Sequence, residues 1–137
     1  MMDGHVCIVV PVYIRPMSIV EEQACLGVLL RCPETDCCAY RLATDDEGVK
    51  ERVLGFFPKL RRETLEQVLA WAAHDIEFTF DRERKGDKAA FHNLIRPREN
   101  IVRYGKPQAL LSSDPHGELD GLYLRAVGGR GAVNAEK

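Results

Sequence analysis

No apolar run in this sequence approaches the length of a membrane span. The longest, Val6 to Ile14, falls far short of the roughly 20 residues that a bilayer-crossing helix needs. The opening Met1-Met2-Asp3-Gly4-His5 carries no basic n-region and no small-residue cleavage site, so no secretory signal is read and a cytoplasmic location is expected. Charge of one sign is also missing. Lys and Arg number 19 and Asp and Glu number 21, for a net charge of -2. That excludes a uniformly basic nucleic-acid binder and leaves room for a local basic patch. No repeat with a period of about 20 to 50 residues is present, which removes solenoids and propellers. Serine is scarce (Ser18, Ser112 and Ser113), and none sits in a Gly-x-Ser-x-Gly elbow. His-Glu-x-x-His, P-loop and Gly-x-Gly-x-x-Gly patterns are absent as well. The balance therefore falls against an enzyme, and no cofactor is expected.

What is present suits one folded domain. The chain has 137 residues, 45% hydrophobic and 29% charged, enough for a single core and short of two. The domain is read over residues 1–127. Residues 128–137, which begin Gly128-Gly129-Arg130-Gly131 and lack apolar periodicity, are read as a flexible tail.

The first third predicts strands. Val6–Ile14 is rich in β-branched residues, and Pro11 inside it has no N–H to donate, so this strand is expected at a sheet edge or starting after Pro11. Ala24–Cys32 is apolar on both faces, the pattern of a strand covered on both sides. Gly27 within it marks a close approach by a neighbouring strand. Pro33-Glu34-Thr35-Asp36 supplies turn chemistry, and Cys37–Ala43 returns as a third strand with Cys32 opposite Cys37.

The middle predicts helices. Thr44 and Glu47 have capping-box spacing, and Val49, Val53, Phe56 and Phe57 follow before Pro58 stops the run. Thr64 and Gln67 form a weaker box. Leu65, Val68, Leu69, Ala72, Ile76 and Phe80 then make an amphipathic stripe, although Glu77–Asp81 alternates and also fits a strand. Ala89–Ile95 reads as a short helix closed before Pro97. Asn100–Tyr104 and Gln108–Leu111 read as a strand broken at Gly105-Lys106-Pro107. Asp114 and Pro115 open a last helix, with Leu119, Leu122, Tyr123, Ala126 and Val127 facing inward and Gly128 as its stop. The order β-β-β-α-α-α-β-α predicts an α+β fold, an antiparallel sheet of about four strands with helices packed on it.

The five cysteines are read as reduced thiols. Cys32, Cys37 and Cys38 have hairpin spacing that could serve zinc only with a second pair from Cys7, Cys25 or His5. They are better explained as small apolar strand residues, and no metal site is assigned. His116 belongs to a helix's first turn, His74 to a helix flank, and nothing local activates Cys25 toward His92. The acidic groups Glu21-Glu22 and Asp45-Asp46-Glu47 suit a loop and a helix start.

Charge is unevenly placed. Between Arg82 and Lys106, eight basic residues stand against three acidic ones, while the rest of the chain carries a negative excess. Within that segment Pro97 stiffens the turn between Arg96 and Arg98, and Arg103 and Lys106 follow. Paired guanidinium groups of this kind suit a phosphate or a carboxylate. Arg96, Arg98, Arg103 and Lys106 are therefore the candidate anion- or partner-binding residues. Phe91 and Tyr104 lie nearby, too few to indicate base stacking.

The segment Glu22-Gln23-Ala24-Cys25-Leu26-Gly27-Val28-Leu29-Leu30-Arg31-Cys32-Pro33-Glu34 and the block Phe91-His92-Asn93-Leu94-Ile95-Arg96-Pro97-Arg98-Glu99-Asn100-Ile101-Val102 resemble a bacterial family catalogued as domain of unknown function 3037. Pro16 matches the proline that closes that family's first strand, and Gly27, Pro33 and Arg98 match as well. The family's usual Asn falls on Cys25 here, and a basic residue common in the preceding loop falls on Val20. The resemblance implies no assigned reaction. It implies a role beside a partner, since members look like companions of kinase-like toxin or regulatory proteins. Taken together, the expected function is a non-enzymatic bacterial accessory domain that docks a protein partner through its basic surface. The alternative is a binder of an anionic ligand, nucleotide or nucleic acid through the Arg96–Lys106 cluster.

Overall fold

A computed structural model describes residues 4–16, 22–97 and 100–128, together with the backbone of 133–135. The fold is α+β with an antiparallel sheet. Strands β1 (His5–Ile14), β2 (Glu22–Cys32) and β3 (Cys37–Leu42) come first, followed by helices α1 (Glu47–Phe56), α2 (Arg62–Arg84) and α3 (Ala90–Ile95). Strands β4 (Val102–Tyr104) and β5 (Gln108–Ser112), helix α4 (Pro115–Gly128) and strand β6 (Val133–Ala135) complete the chain. The last strand pairs with the start of β2, so part of the segment read as a tail joins the sheet.

The six strands occupy four ranks. β2 and β1 are the inner two, β3 and β6 share the flank of β2, and β5 and β4 share the flank of β1. β1 is thus central, against the edge position that Pro11 suggested. The reason lies in the break at 105–107. The Pro11 carbonyl accepts the Gly105 N–H at 2.8 Å, so the missing N–H, which points the same way as the carbonyl in an extended strand, faces the gap between β5 and β4. No ladder bond is lost there. A Cβ at Gly105 would lie 2.6 Å from Pro11 Cγ, so the close approach requires glycine. A second irregularity lies between Val12 and Tyr13, where the register with β2 shifts from Gly27 to Cys25.

The register sorts the side chains to two faces. Val9, Leu30, Cys32 and Cys37 share one, and Leu119 and Leu122 of α4 pack over their cluster. Leu29, Arg31, Cys38 and Tyr40 share the other, which α2 and α3 cover. Cys32 does stand opposite Cys37. The stripe on α2 is buried as its spacing predicted, at Leu65, Val68, Leu69, Ala72, Ile76 and Phe80. Each of the large side chains contributes about 1.5–3 kcal/mol. Glu77–Asp81 is helix, because that stripe continues through Phe80.

Three local devices tie the layers together. Asp46, not Thr44, is the N-cap of α1: its Oδ1 accepts the Val49 N–H at 3.2 Å. Its Oδ2 accepts the hydroxyl of the fully buried Tyr123 at 2.9 Å, which fastens α4 to the start of α1. Thr44 instead lies in the 3-10 turn Ala43–Asp45. Helix α2 starts ahead of the Thr64–Gln67 box, at Arg62, with no side-chain cap. There the Arg62 guanidinium reaches back to Glu47 of α1 at 2.6 Å. Between β2, α2 and α3, Arg31 Nε donates to Glu83 at 2.8 Å, and the guanidinium carbon of Arg31 lies 5.4 Å from the centre of the Phe91 ring. The same carboxylate accepts the Phe91 N–H at 3.0 Å. Asp114 caps α4 as its sequence predicted, accepting the Gly117 N–H at 3.2 Å.

Candidate anion-binding cleft

The basic segment divides into two groups with different fates. Arg82 is held by Asp87 at 2.9 Å and Lys85 by Asp81 at 3.0 Å, so these two charges at the end of α2 are neutralised locally. The later residues do something else. Helix α3 stops at Ile95, and Arg96 turns into extended backbone (ψ 136°) ahead of Pro97, as the residue before proline must. The chain then returns to β1 through β4. The Arg15 N–H donates to the Ile101 carbonyl at 2.8 Å, which brings the end of β1 beside the segment after α3.

A cleft of about 380 Å³ results, and Arg15, Arg96 and Arg103 all line it. Arg103 is fixed by its Nε, which donates to the Asn100 carbonyl at 2.7 Å. Arg96 is exposed and makes no ion pair among the described residues. Helix α2 supplies Trp71, His74 and Asp75 to the same cleft. Trp71 is off the buried stripe and 54% exposed. The half-buried Leu94, Ile101, Val102 and Tyr104 give the cleft an apolar base. Among the described residues the lining holds three arginines and one carboxylate, a net positive charge. Other depressions differ in this respect. One of about 560 Å³ beside Tyr40 sets Arg41 against Asp45 and Asp46, and Arg41 is already bound to Asp120 at 2.6 Å.

Of the residues singled out in the sequence, Arg96 and Arg103 meet in the cleft. Lys106 lies in the break between β4 and β5, exposed and not among the residues that line it. Arg98 lies outside the described residues. Phe91 is buried and stacks 6.4 Å from Phe80, which makes it core rather than surface, while Tyr104 lines the cleft. Arg15 and Trp71 were not anticipated. The indole did leave a trace: a large apolar residue out of phase with the stripe on its own helix must face outward.

The thiols form a separate region. All five are free. Burial, followed by a hydrogen bond and proximity to Cys32, pushes the Cys7 thiol up to about 12. Burial also pushes Cys25 up to about 11. Such thiols are poor nucleophiles at neutral pH. Among the described residues, no group of three or more His, Cys, Asp or Glu side chains is arranged to hold a metal ion, and no helix is long and apolar enough to cross a membrane.

These features define a class: an α+β domain, helical on both faces of its sheet, with a basic cleft at the ends of its inner strands. Residues 11–127 match the family described as "Protein of unknown function (DUF3037)", and the chain belongs to that family. No curated protein and no solved structure matches it.

Proposed function

We propose that this chain is a non-enzymatic binding domain of the bacterial cytoplasm that takes an anionic ligand into the cleft lined by Arg15, Arg96 and Arg103. The observation that carries the reading is that three arginines from separate parts of the chain line one cavity. Its volume lies in the range of roughly 300–1,000 Å³ usual for small-ligand sites. Planar guanidinium groups bind phosphate and carboxylate oxygens in pairs, and a concave site strengthens those bonds by excluding water. Five unpaired thiols suit a reducing compartment. Calorimetric titration with inorganic pyrophosphate tests the proposal. Saturable binding that weakens with added salt, and weakens at least tenfold in Arg96→Ala, is expected. An undetectable heat at low salt, with the protein folded, overturns it.

A second reading has its own observation. Trp71 and Phe78 are both exposed, two turns apart on one face of α2, and Trp71 lines the cleft. That apolar face together with the arginines suits docking of an acidic protein surface, of the kind a kinase-like partner would present. Partner binding that survives Arg96→Ala and is lost in Phe78→Ala favours this reading over the first.

A further inference from the structure

Building on the anion-cleft reading, we infer that the ligand is a nucleotide unit, its phosphate held by Arg15, Arg96 and Arg103 and its base laid against the indole of Trp71. The cleft offers more than an inorganic anion needs. Trp71, His74 and Asp75 come from one face of α2, one turn apart, whereas the three arginines come from the end of β1, the turn after α3 and β4. Stacking and charge are thus supplied by different elements, as a ligand with an apolar ring at one end and an anion at the other requires. An exposed indole has a flat face that accepts any base. Asp75 adds nothing to the binding of an inorganic anion but accepts hydrogen bonds from a ribose hydroxyl or an exocyclic amino group. Gln23 and Asn100 also line the cleft. The Asn100 Oδ1 accepts the Ile101 N–H at 2.8 Å, which leaves its amide N–H groups directed elsewhere as donors. Side-chain amides of this kind pair with the edges of bases. A volume of about 380 Å³ has room for one nucleotide and not for several.

Trp71 is the sole tryptophan of the chain, so its fluorescence reports on the cleft alone. The wild-type protein is titrated with adenosine 5′-monophosphate, ribose 5-phosphate and a short single-stranded oligonucleotide. Excitation is at the red edge of the indole band, where bases are transparent. Adenosine 5′-monophosphate is expected to quench Trp71 and to bind roughly 5- to 100-fold more tightly than ribose 5-phosphate, the range that stacking on one aromatic face supplies. Trp71→Ala, at an exposed position, is expected to fold normally and to abolish that preference by calorimetry while still binding both phosphates. Equal affinity for the two phosphates in wild type overturns the nucleotide assignment and leaves the anion cleft standing. Absence of binding by all three probes overturns both. An oligonucleotide that binds more than tenfold tighter than the monophosphate assigns the nucleotide unit to a strand rather than to a free ligand.

Discussion

Gly27 offers the sharpest test of the sheet. It lies in β2 opposite Leu42 of β3, and a Cβ built on it would stand 2.1 Å from the Arg41 carbonyl oxygen, 2.8 Å from Leu42 Cα and 2.9 Å from Leu42 Cδ2. Two of those three atoms are backbone, so no rotamer change relieves the contact. For Gly27→Ala, β3 must retreat by roughly 1 Å before the oxygen reaches tolerable separation, and overpacking of a filled site costs about 1–3 kcal/mol. Stretching of the neighbouring ladder bonds adds to that cost, while the stiffer unfolded chain returns about 0.4–1 kcal/mol. A net loss of about 2–3 kcal/mol lowers Tm by about 10 °C in a chain of this size. Gly27→Val, with two further methyl groups, loses more. The matched control is Gly121→Ala in α4, where an added Cβ meets nothing within 4 Å. Helix propensity there predicts a gain of about 0.5–1 kcal/mol. Thermal melts followed by circular dichroism, with urea midpoints as a second measure, read both variants. A Gly27→Ala melt that overlays wild type refutes the close packing of β2 on β3.

Three further outcomes are expected. Glu83→Gln removes the charge that holds Arg31 where the carboxylate is only 6% exposed, and should cost about 3 kcal/mol or more in urea unfolding; a loss below 1 kcal/mol would mean that water reaches this pair. Tyr123→Phe gives up the hydroxyl bond to Asp46 and should cost about 1 kcal/mol. Asp46→Ala loses the helix cap too and should cost about 2 kcal/mol; independent, additive losses in the double variant would show that the two groups are not coupled. Burial, then the hydrogen bond and charge of Glu77, push the Tyr40 phenol up to about 12 from its ordinary 10. The folded state then keeps a proton that the unfolded chain releases, so stability falls as pH rises from 10 toward 12. Tyr40→Phe should flatten that fall in the urea midpoint, and an unchanged slope would contradict the assigned environment.

Much of the fold was legible because its signals are local and periodic. The β-branched run of β1, the two-faced apolar run of β2 and the stripe on α2 each state their own burial. The Asp114-Pro115 pair marks the start of α4 with residues that only a helix terminus favours. What was misread depends on contacts distant in sequence. Pro11 suggests an edge strand or a strand that starts after it, because its missing N–H looks costly, and only the break around Gly105 shows that the site opposite needs no donor. Thr44 has better capping-box spacing than Asp46, but Asp46 also receives Tyr123 from 77 positions away, and that bond fixes where α1 begins. The cleft was half visible. Arg96 and Arg103 stood out as local charge, whereas Arg15 joins them through strand pairing and Trp71 through the packing of α2 on α3. Neither relation is written in neighbouring residues.

The convergence of the arginines is tested most directly by nuclear magnetic resonance of their side-chain Nε–H groups during a titration with inorganic pyrophosphate. Signals of Arg15, Arg96 and Arg103 are expected to move together with one saturable midpoint, while Arg41 and Arg62, held by Asp120 and Glu47, stay in place. Small shifts spread evenly over all arginines, or separate midpoints for the three, would contradict the existence of a single cleft that binds one anion.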